Sequence, residues 1–256
     1  MSFAEKFKNT VHDNFELSAE KYTELEDKIG HFKDMSEVLT NFAYATGGGD
    51  PKSILDVGTG TGSAIEVLRK HFTFAKLYGI DISENMLDVA RERYPFADFT
   101  CGDAEALENY YEEELFDFII YPASLFLLPN QEASLAGAKK LLRPEGLVAA
   151  SILGGLSEKE GRAVKSLPVS TSIIKNESLV SLFSKYFGAV RHERHEIELG
   201  EDRARGFYRI EAQSAGLFPG KAYEERIELL EEVLGDARKN NFTLIQSWDL
   251  IAAKLP

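Results

Sequence analysis

The stretch Ile54-Leu55-Asp56-Val57-Gly58-Thr59-Gly60-Thr61-Gly62 limits the possible folds more than any other part of this chain. A short apolar run ends on an acid and opens into three glycines at alternate positions. Ala64, Ile65, Val67 and Leu68 then return at helical spacing, so the unit reads as strand, glycine turn and helix. Glycine is favoured there because a side chain would hold a ligand off the backbone and because the turn calls for positive φ. The following helix aims its free N–H groups and its positive dipole end into that turn. A nucleoside-type ligand is the first expectation.

The rest of the chain carries the same alternation. Lys76–Asp81 is a second strand ending in an acid, about twenty residues past the turn, where a carboxylate can accept hydrogen bonds from ribose hydroxyls. Ser83 has the character of an N-cap, with Met86, Leu87 and Ala90 on the buried side of the next helix. Further strands are expected at Ala97–Cys101, Phe116–Tyr121, Leu147–Ile152, Ala189–Leu199 and Phe242–Lys254. Helices are expected over Leu135–Leu142, around Leu179–Phe187, and at Gly206–Ala215 and Tyr223–Arg238, with a loop from Gly154 to Asn176. Ahead of the first strand, Phe3, Phe7, Val11 and Phe15 recur every four positions, and Phe32, Met35, Val38, Leu39 and Phe42 mark another helix that Gly47-Gly48-Gly49 stops.

The dinucleotide fingerprint is G-x-G-x-x-G, but here the spacing is G-x-G-x-G, with Ser63 where the last dinucleotide glycine would stand. The segment Leu55 to Gly62 resembles the first motif of the class I S-adenosylmethionine-dependent methyltransferases, and Gly102-Asp103-Ala104-Glu105-Ala106-Leu107 resembles a later one. Phe15, Ala19 and Tyr22 are spaced like a segment often found before the first strand of small-molecule enzymes of the ubiquinone/menaquinone type. The resemblance implies a Rossmann-like, doubly wound α/β fold with a seven-stranded sheet whose last strand is antiparallel. It implies an N-terminal helical lid over residues 1–49, a cofactor-binding domain over 50–256, and a helical insertion before the last strand. It also implies S-adenosyl-L-methionine as cofactor, held at Asp56, Gly58, Thr59, Gly60 and Gly62. Asp81 would take the ribose hydroxyls, Ile82 and Met86 would lie near the adenine, Asp103 would meet the adenine amino group, and Ala104 would supply a backbone N–H. Tyr22, Tyr121 and Phe126 are candidates to face the sulfonium, where aromatic rings favour a cation.

The residues alone leave other readings open. Asp103 also suits the N-cap of a short helix, and Phe15, Ala19 and Tyr22 also suit one buried face of an ordinary amphipathic helix. The chain departs from its apparent relatives at Phe126 and Leu127, where many carry a histidine pair, and at Tyr121-Pro122-Ala123-Ser124, where amino-methylating nucleic-acid enzymes carry Asn/Asp-Pro-Pro-aromatic. His12 and His31 are candidate bases by location, each with a surface position as the plainer expectation. Arg203, Arg205 and Arg209 are candidates for holding an acidic substrate. Besides methyl transfer to a small molecule, two alternatives remain: a protein that binds the cofactor without using it, and an NAD-type oxidoreductase, against which Ser63 speaks.

Composition trims the list further. A net charge of −13 argues against a sequence-independent grip on nucleic acid. The single cysteine, Cys101, permits no intrachain disulfide and is expected as a small buried side chain. No metal site is expected, because His192 and His195 fall on opposite faces of a strand. No apolar run approaches the roughly 20 residues of a membrane span, and Met1 to Thr10 lack an apolar signal core. A cytoplasmic setting is expected.

Overall fold

The first apolar run forms strand β1 (Ser53–Val57), which is buried along its whole length. The computed structural model describes residues 3–47, 49–111, 115–162, 164, 167 and 176–256. Within them β1 lies in a sheet with β2 (Lys76–Asp81), β3 (Asp98–Cys101), β4 (Phe116–Pro122), β5 (Leu142–Glu158), β6 (Val190–Leu199) and β7 (Leu244–Lys254). The order is β3-β2-β1-β4-β5-β7-β6. Strands β1 to β5 pair in parallel, and β7 runs antiparallel to both β5 and β6. This is the Rossmann-like arrangement expected from the sequence, with the order reversing beside β1 so that a crevice opens beyond the strand ends.

Alternation along the strands feeds two helical layers. On one face Ile54, Phe118, Ala149 and Leu250 meet Leu39 and Phe42 of α3 (His31–Ala45) and Ile65 and Leu68 of α4 (Ser63–His71). On the other, Leu55, Ile119, Val148 and Ile251 meet Leu135 and Leu141 of α6 (Gln131–Leu141) and Leu179 and Phe183 of α7 (Asn176–Tyr186). Each such Leu, Ile, Val or Phe side chain, when fully buried, stabilises the fold by about 1.5–3 kcal/mol before the entropy of ordering is charged against it.

A third core lies beyond the sheet's end. Tyr22 and Leu25 of α2 (Ala19–Lys28) pack with Phe207 of α8 (Glu201–Tyr208) and Leu230 and Val233 of α10 (Tyr223–Asn240), over Trp248 of β7. Helices α1 (Phe3–Glu16), α5 (Glu84–Arg93) and α9 (Glu211–Leu217) complete this end. Helix α3 belongs to the sheet's own layer, whereas α1 and α2 lie over the strand ends.

Several expectations need correction. Strand β5 does not stop at Ile152 but pairs with β7 as far as Glu158, with a register shift between Leu153 and Gly155. A Cβ on Gly154 would lie 2.7 Å from Ser247 Oγ, so glycine admits the close approach of β7 there. The remainder of the expected loop lies largely outside the described residues. The helix expected at Gly206–Ala215 is two helices, broken at Ile210, whose extended backbone lets both Phe207 and Ile210 enter the third core. Cys101 is exposed because β3 is an edge strand.

Candidate functional site

The glycine turn leaves β1 with Gly58 at φ +73°, and a Cβ there would lie 2.4 Å from Ser124 Cβ. Both the conformation and the contact therefore demand glycine. Gly58 and Thr59 donate their backbone N–H groups to Ile80 O at 2.8 and 3.0 Å, fastening the turn to β2. Gly60 donates to Asp81 Oδ2 at 2.8 Å and Ser83 to Asp81 Oδ1 at 3.0 Å. Asp81 is thus fixed by backbone donors while keeping lone pairs free. Ser83 caps α5, accepting from Met86 N at 3.2 Å.

Asp56 is fully buried beneath this turn. Its Oδ2 accepts from Thr59 Oγ1 at 2.6 Å, and its Oδ1 has no partner among the described residues. Burial, with the nearby Asp81 charge adding to it, pushes the Asp56 carboxyl up to about 7. Burial also raises Asp81, against the backbone N–H groups of Ser83 and Gly60, which favour its ionised form.

Both groups open on one cavity of about 1100 Å³, counting the solvent at its mouth. Gly58, Thr59, Gly60, Ile82, Met86 and Ala104 line it, as do Tyr22 and Asp103. Asp103 does cap the short 3-10 helix that follows, accepting from Glu105 N at 2.9 Å, and also accepts from Lys8 Nζ at 2.8 Å. The two sequence readings of Asp103 are compatible.

Two of the expected site residues lie elsewhere. Gly62, at φ +84°, begins α4 and is packed so that a Cβ would lie 2.7 Å from the Tyr94 ring. Tyr121 is fully buried on the opposite face, its hydroxyl against Ser134 Oγ at 3.0 Å. Phe126 likewise packs on that face's core and does not line the cavity, Leu127 lines the cavity, and Leu128 touches both. The candidate base His31 is not on the surface but fully buried between Phe32 and Phe207, where its Nδ1 accepts from Arg203 Nε at 2.9 Å. Burial, joined by the Arg203 charge, drives its imidazole down to about 3. The arginines are spoken for: Arg203 pairs with Asp34, and Arg205 and Arg209 with Glu231. None lines the cavity. His192 pairs with Asp249 at 2.8 Å, and among the described residues no cluster could hold a metal ion.

Helices α1 and α2 cover the cavity through contacts that no local pattern announces. Glu16 accepts from the N–H groups of Glu84 and Asn85 at 3.0 and 3.2 Å, closing the N-terminus of α5. Arg93 holds Asp27 with two contacts of 2.8 Å. Glu26 accepts from Phe32 N and Lys33 N at 2.6 and 3.1 Å and so joins α2 to α3. Tyr22 stacks on Phe32 at 5.0 Å, and its hydroxyl accepts from Gln213 Nε2 at 2.9 Å. Lys8, Ser124 and Ser151 reach the cavity without a sequence signal, and Val11, Phe32 and Met35 reach it with none beyond their helical spacing.

The fold and the site together define a class of protein: a nucleoside-cofactor domain with an acid at the ends of both β1 and β2. The comparisons sharpen this. Residues 55–150 match the protein family described as "Methyltransferase domain". The chain is 26% identical over 185 residues to the malonyl-[acyl-carrier protein] O-methyltransferase 1 of Ilyobacter polytropus, covering 70% of this chain and 67% of that one. It is 28% identical over 149 residues to the trans-aconitate 2-methyltransferase of Methylobacterium radiotolerans, covering 58% and 54%. The chain thus spans about half to two thirds of the length of these curated relatives. Among solved structures, the plantazolicin methyltransferase BpumL in complex with SAH shares the fold, with a TM-score of 0.55 over 98% of both chains at 18% identity.

Proposed function

We propose that this chain is an S-adenosyl-L-methionine-dependent methyltransferase acting on a small molecule. One observation carries the reading: the buried, unpartnered Asp56 Oδ1 and the backbone-fixed Asp81 open on the same cavity as the glycine turn. A ligand that brings an ammonium and a ribose diol satisfies both. Tyr22, Asp56, Gly58, Thr59, Gly60, Asp81, Ile82, Met86, Asp103 and Ala104 are the proposed cofactor residues. Asp81 accepts from the ribose hydroxyls, Ile82 and Met86 flank the adenine, and Asp103 takes the adenine amino group. When bound, the cofactor would supply a methyl group on a sulfonium, open to displacement by an acceptor's lone pair with the carbon–sulfur electron pair left on sulfur.

The chain's own part is positional. The turn and Asp81 fix one reactant, while α1 and α2 exclude water and hold the second in line. Orientation of this kind is worth up to roughly 7–11 kcal/mol of barrier in the best cases. The expected division at residue 49 becomes a proposal that α1 and α2 form the movable cover. A cytoplasmic setting is part of the same reading, supported by a lone unpaired cysteine, as is a small-molecule partner rather than a nucleic acid, supported by the acidic balance. No helix among the described residues is long and apolar enough to cross a membrane.

Calorimetric titration with S-adenosylmethionine, S-adenosylhomocysteine and NAD tests the reading. The first two should bind the wild type and bind Asp81→Ala far more weakly. Failure of both to bind, or tighter binding of NAD, contradicts it.

A further inference from the structure

The two oxygens of Asp103 are held by parts of the chain that lie far apart in sequence. Oδ1 accepts from Glu105 N at 2.9 Å, the bond that caps the 3-10 helix Ala104–Asn109. Oδ2 accepts from Lys8 Nζ of α1 at 2.8 Å. The first bond alone does not fix the carboxylate, because the terminal torsion of an aspartate is broad and the group can turn about the bonded oxygen. The second bond sets its plane.

Lys8 does this as a bridge. Its Nζ also donates to Glu105 Oε2 at 2.5 Å, and Glu105 Oε1 accepts from Asn130 N at 2.6 Å, where α6 begins. Asp103 and Glu105 are like charges two residues apart, and the ammonium between them offsets their repulsion. The side chains of Lys8, Asp103 and Glu105 keep 27%, 34% and 14% of their surface exposed, and ion pairs so open to water add little to folding stability. Orientation is the larger consequence. Lys8, Val11 and Phe15 fall on one face of α1, and all three line the cavity together with Asp103.

We infer that Lys8 is a positioning residue for adenine recognition: it turns the Asp103 carboxylate towards the 6-amino group, so that the base is read only with α1 in place. The inference rests on the proposed cofactor site. A carboxylate offers about four lone-pair sites, so the two bonds that Asp103 already accepts leave room for the amino group. Lys8 acts through Asp103 and not on the cofactor itself.

The test compares S-adenosylhomocysteine with the analogue that carries hydrogen in place of the 6-amino group, by calorimetric titration of the full chain. The analogue keeps N1 and both ribose hydroxyls, so the contact removed is the one to Asp103. The wild type should bind the parent at least about ten-fold more tightly, a difference of about 1.4 kcal/mol. Lys8→Met should shrink that ratio to within about three-fold. In Asp103→Ala the ratio should already lie near one, and adding Lys8→Met should leave it there. An unchanged ratio in Lys8→Met, whether the two affinities hold or fall together, would overturn the inference, since a residue that only supports the cover moves both ligands alike. A further change of ratio in the double variant would overturn it too, because Lys8 would then act by another route. A wild type that binds both ligands equally would overturn the inference and the role of Asp103, while the cofactor reading stands. No binding of S-adenosylhomocysteine to the wild type would overturn that reading and the inference with it.

Discussion

Asp56 and His31 are both fully buried and titratable, and each has a polar atom with no hydrogen-bond partner of good geometry among the described residues. Their surroundings differ. Asp56 lies at the end of β1 beneath a turn that opens on the cavity, whereas His31 is wedged between Phe32 and Phe207 beneath the capping helices. Burial moves the acid up to about 7 and the imidazole down to about 3, so both shifts disfavour the charged form. An open cavity lets a ligand repair the first situation. Aromatic packing closes the second permanently. A buried polar atom is therefore read as a binding site only when space adjoins it.

The largest effect that would break this comparison is at Asp81. Asp81→Ala should weaken S-adenosylhomocysteine binding by about 100-fold or more, since hydrogen bonds to a charged group are worth about 1.5–3 kcal/mol each and two hydroxyls are involved. His31→Ala should do the reverse. It should lower unfolding free energy by about 3 kcal/mol in urea through the hole left in the third core, and change cofactor affinity by no more than about three-fold. Equal loss of binding in both variants would show that cap and turn are not separable.

Acidity separates the two groups in opposite directions. Asp56 has a raised native pKa, so its contribution to stability is fully present below about 3.8 and is lost as pH rises through about 7. Asp56→Asn should therefore gain on the wild type towards pH 8, and that gain should vanish near pH 4. His31 has a lowered native pKa, so its contribution is fully present above about 6.5 and is lost as pH falls towards 3. His31→Phe should flatten the stability profile between pH 6 and 4 by about one proton per molecule. Urea melts across that range check both slopes.

The smallest expected effect is at the seam between the two regions. Tyr22→Phe removes the hydroxyl that Gln213 holds but keeps the ring that faces the cavity. It should lower stability by about 1 kcal/mol and leave cofactor affinity within about three-fold.

What the sequence made legible was local. The acid-then-glycines run, Asp81 a fixed distance beyond it and Ser83 as a cap are each decided within a few residues, and the apolar runs between them fix the sheet. Tyr121 was not legible, because β4 is apolar on both faces and its pattern carries no parity. Cys101 depends on β3 being an edge, which is a property of strand order rather than of β3 itself. Lys8 meets Asp103 across 95 positions of sequence, and Ser124 meets Val57 at the end of β1 across 67, so only the fold brings them together. The burial of His31 is of the same kind, since Phe207 and Trp248 come from the far end of the chain.

Hydrogen exchange with and without S-adenosylhomocysteine tests most directly the claim that the cofactor site is built on the glycine turn and not on α10 and β7. Peptides spanning 56–64, 80–86 and 102–106 should gain protection, and those from α10 and from β7 around Trp248 should exchange unchanged. Protection confined to α10 and β7, or none at the glycine turn under saturating ligand, would contradict it.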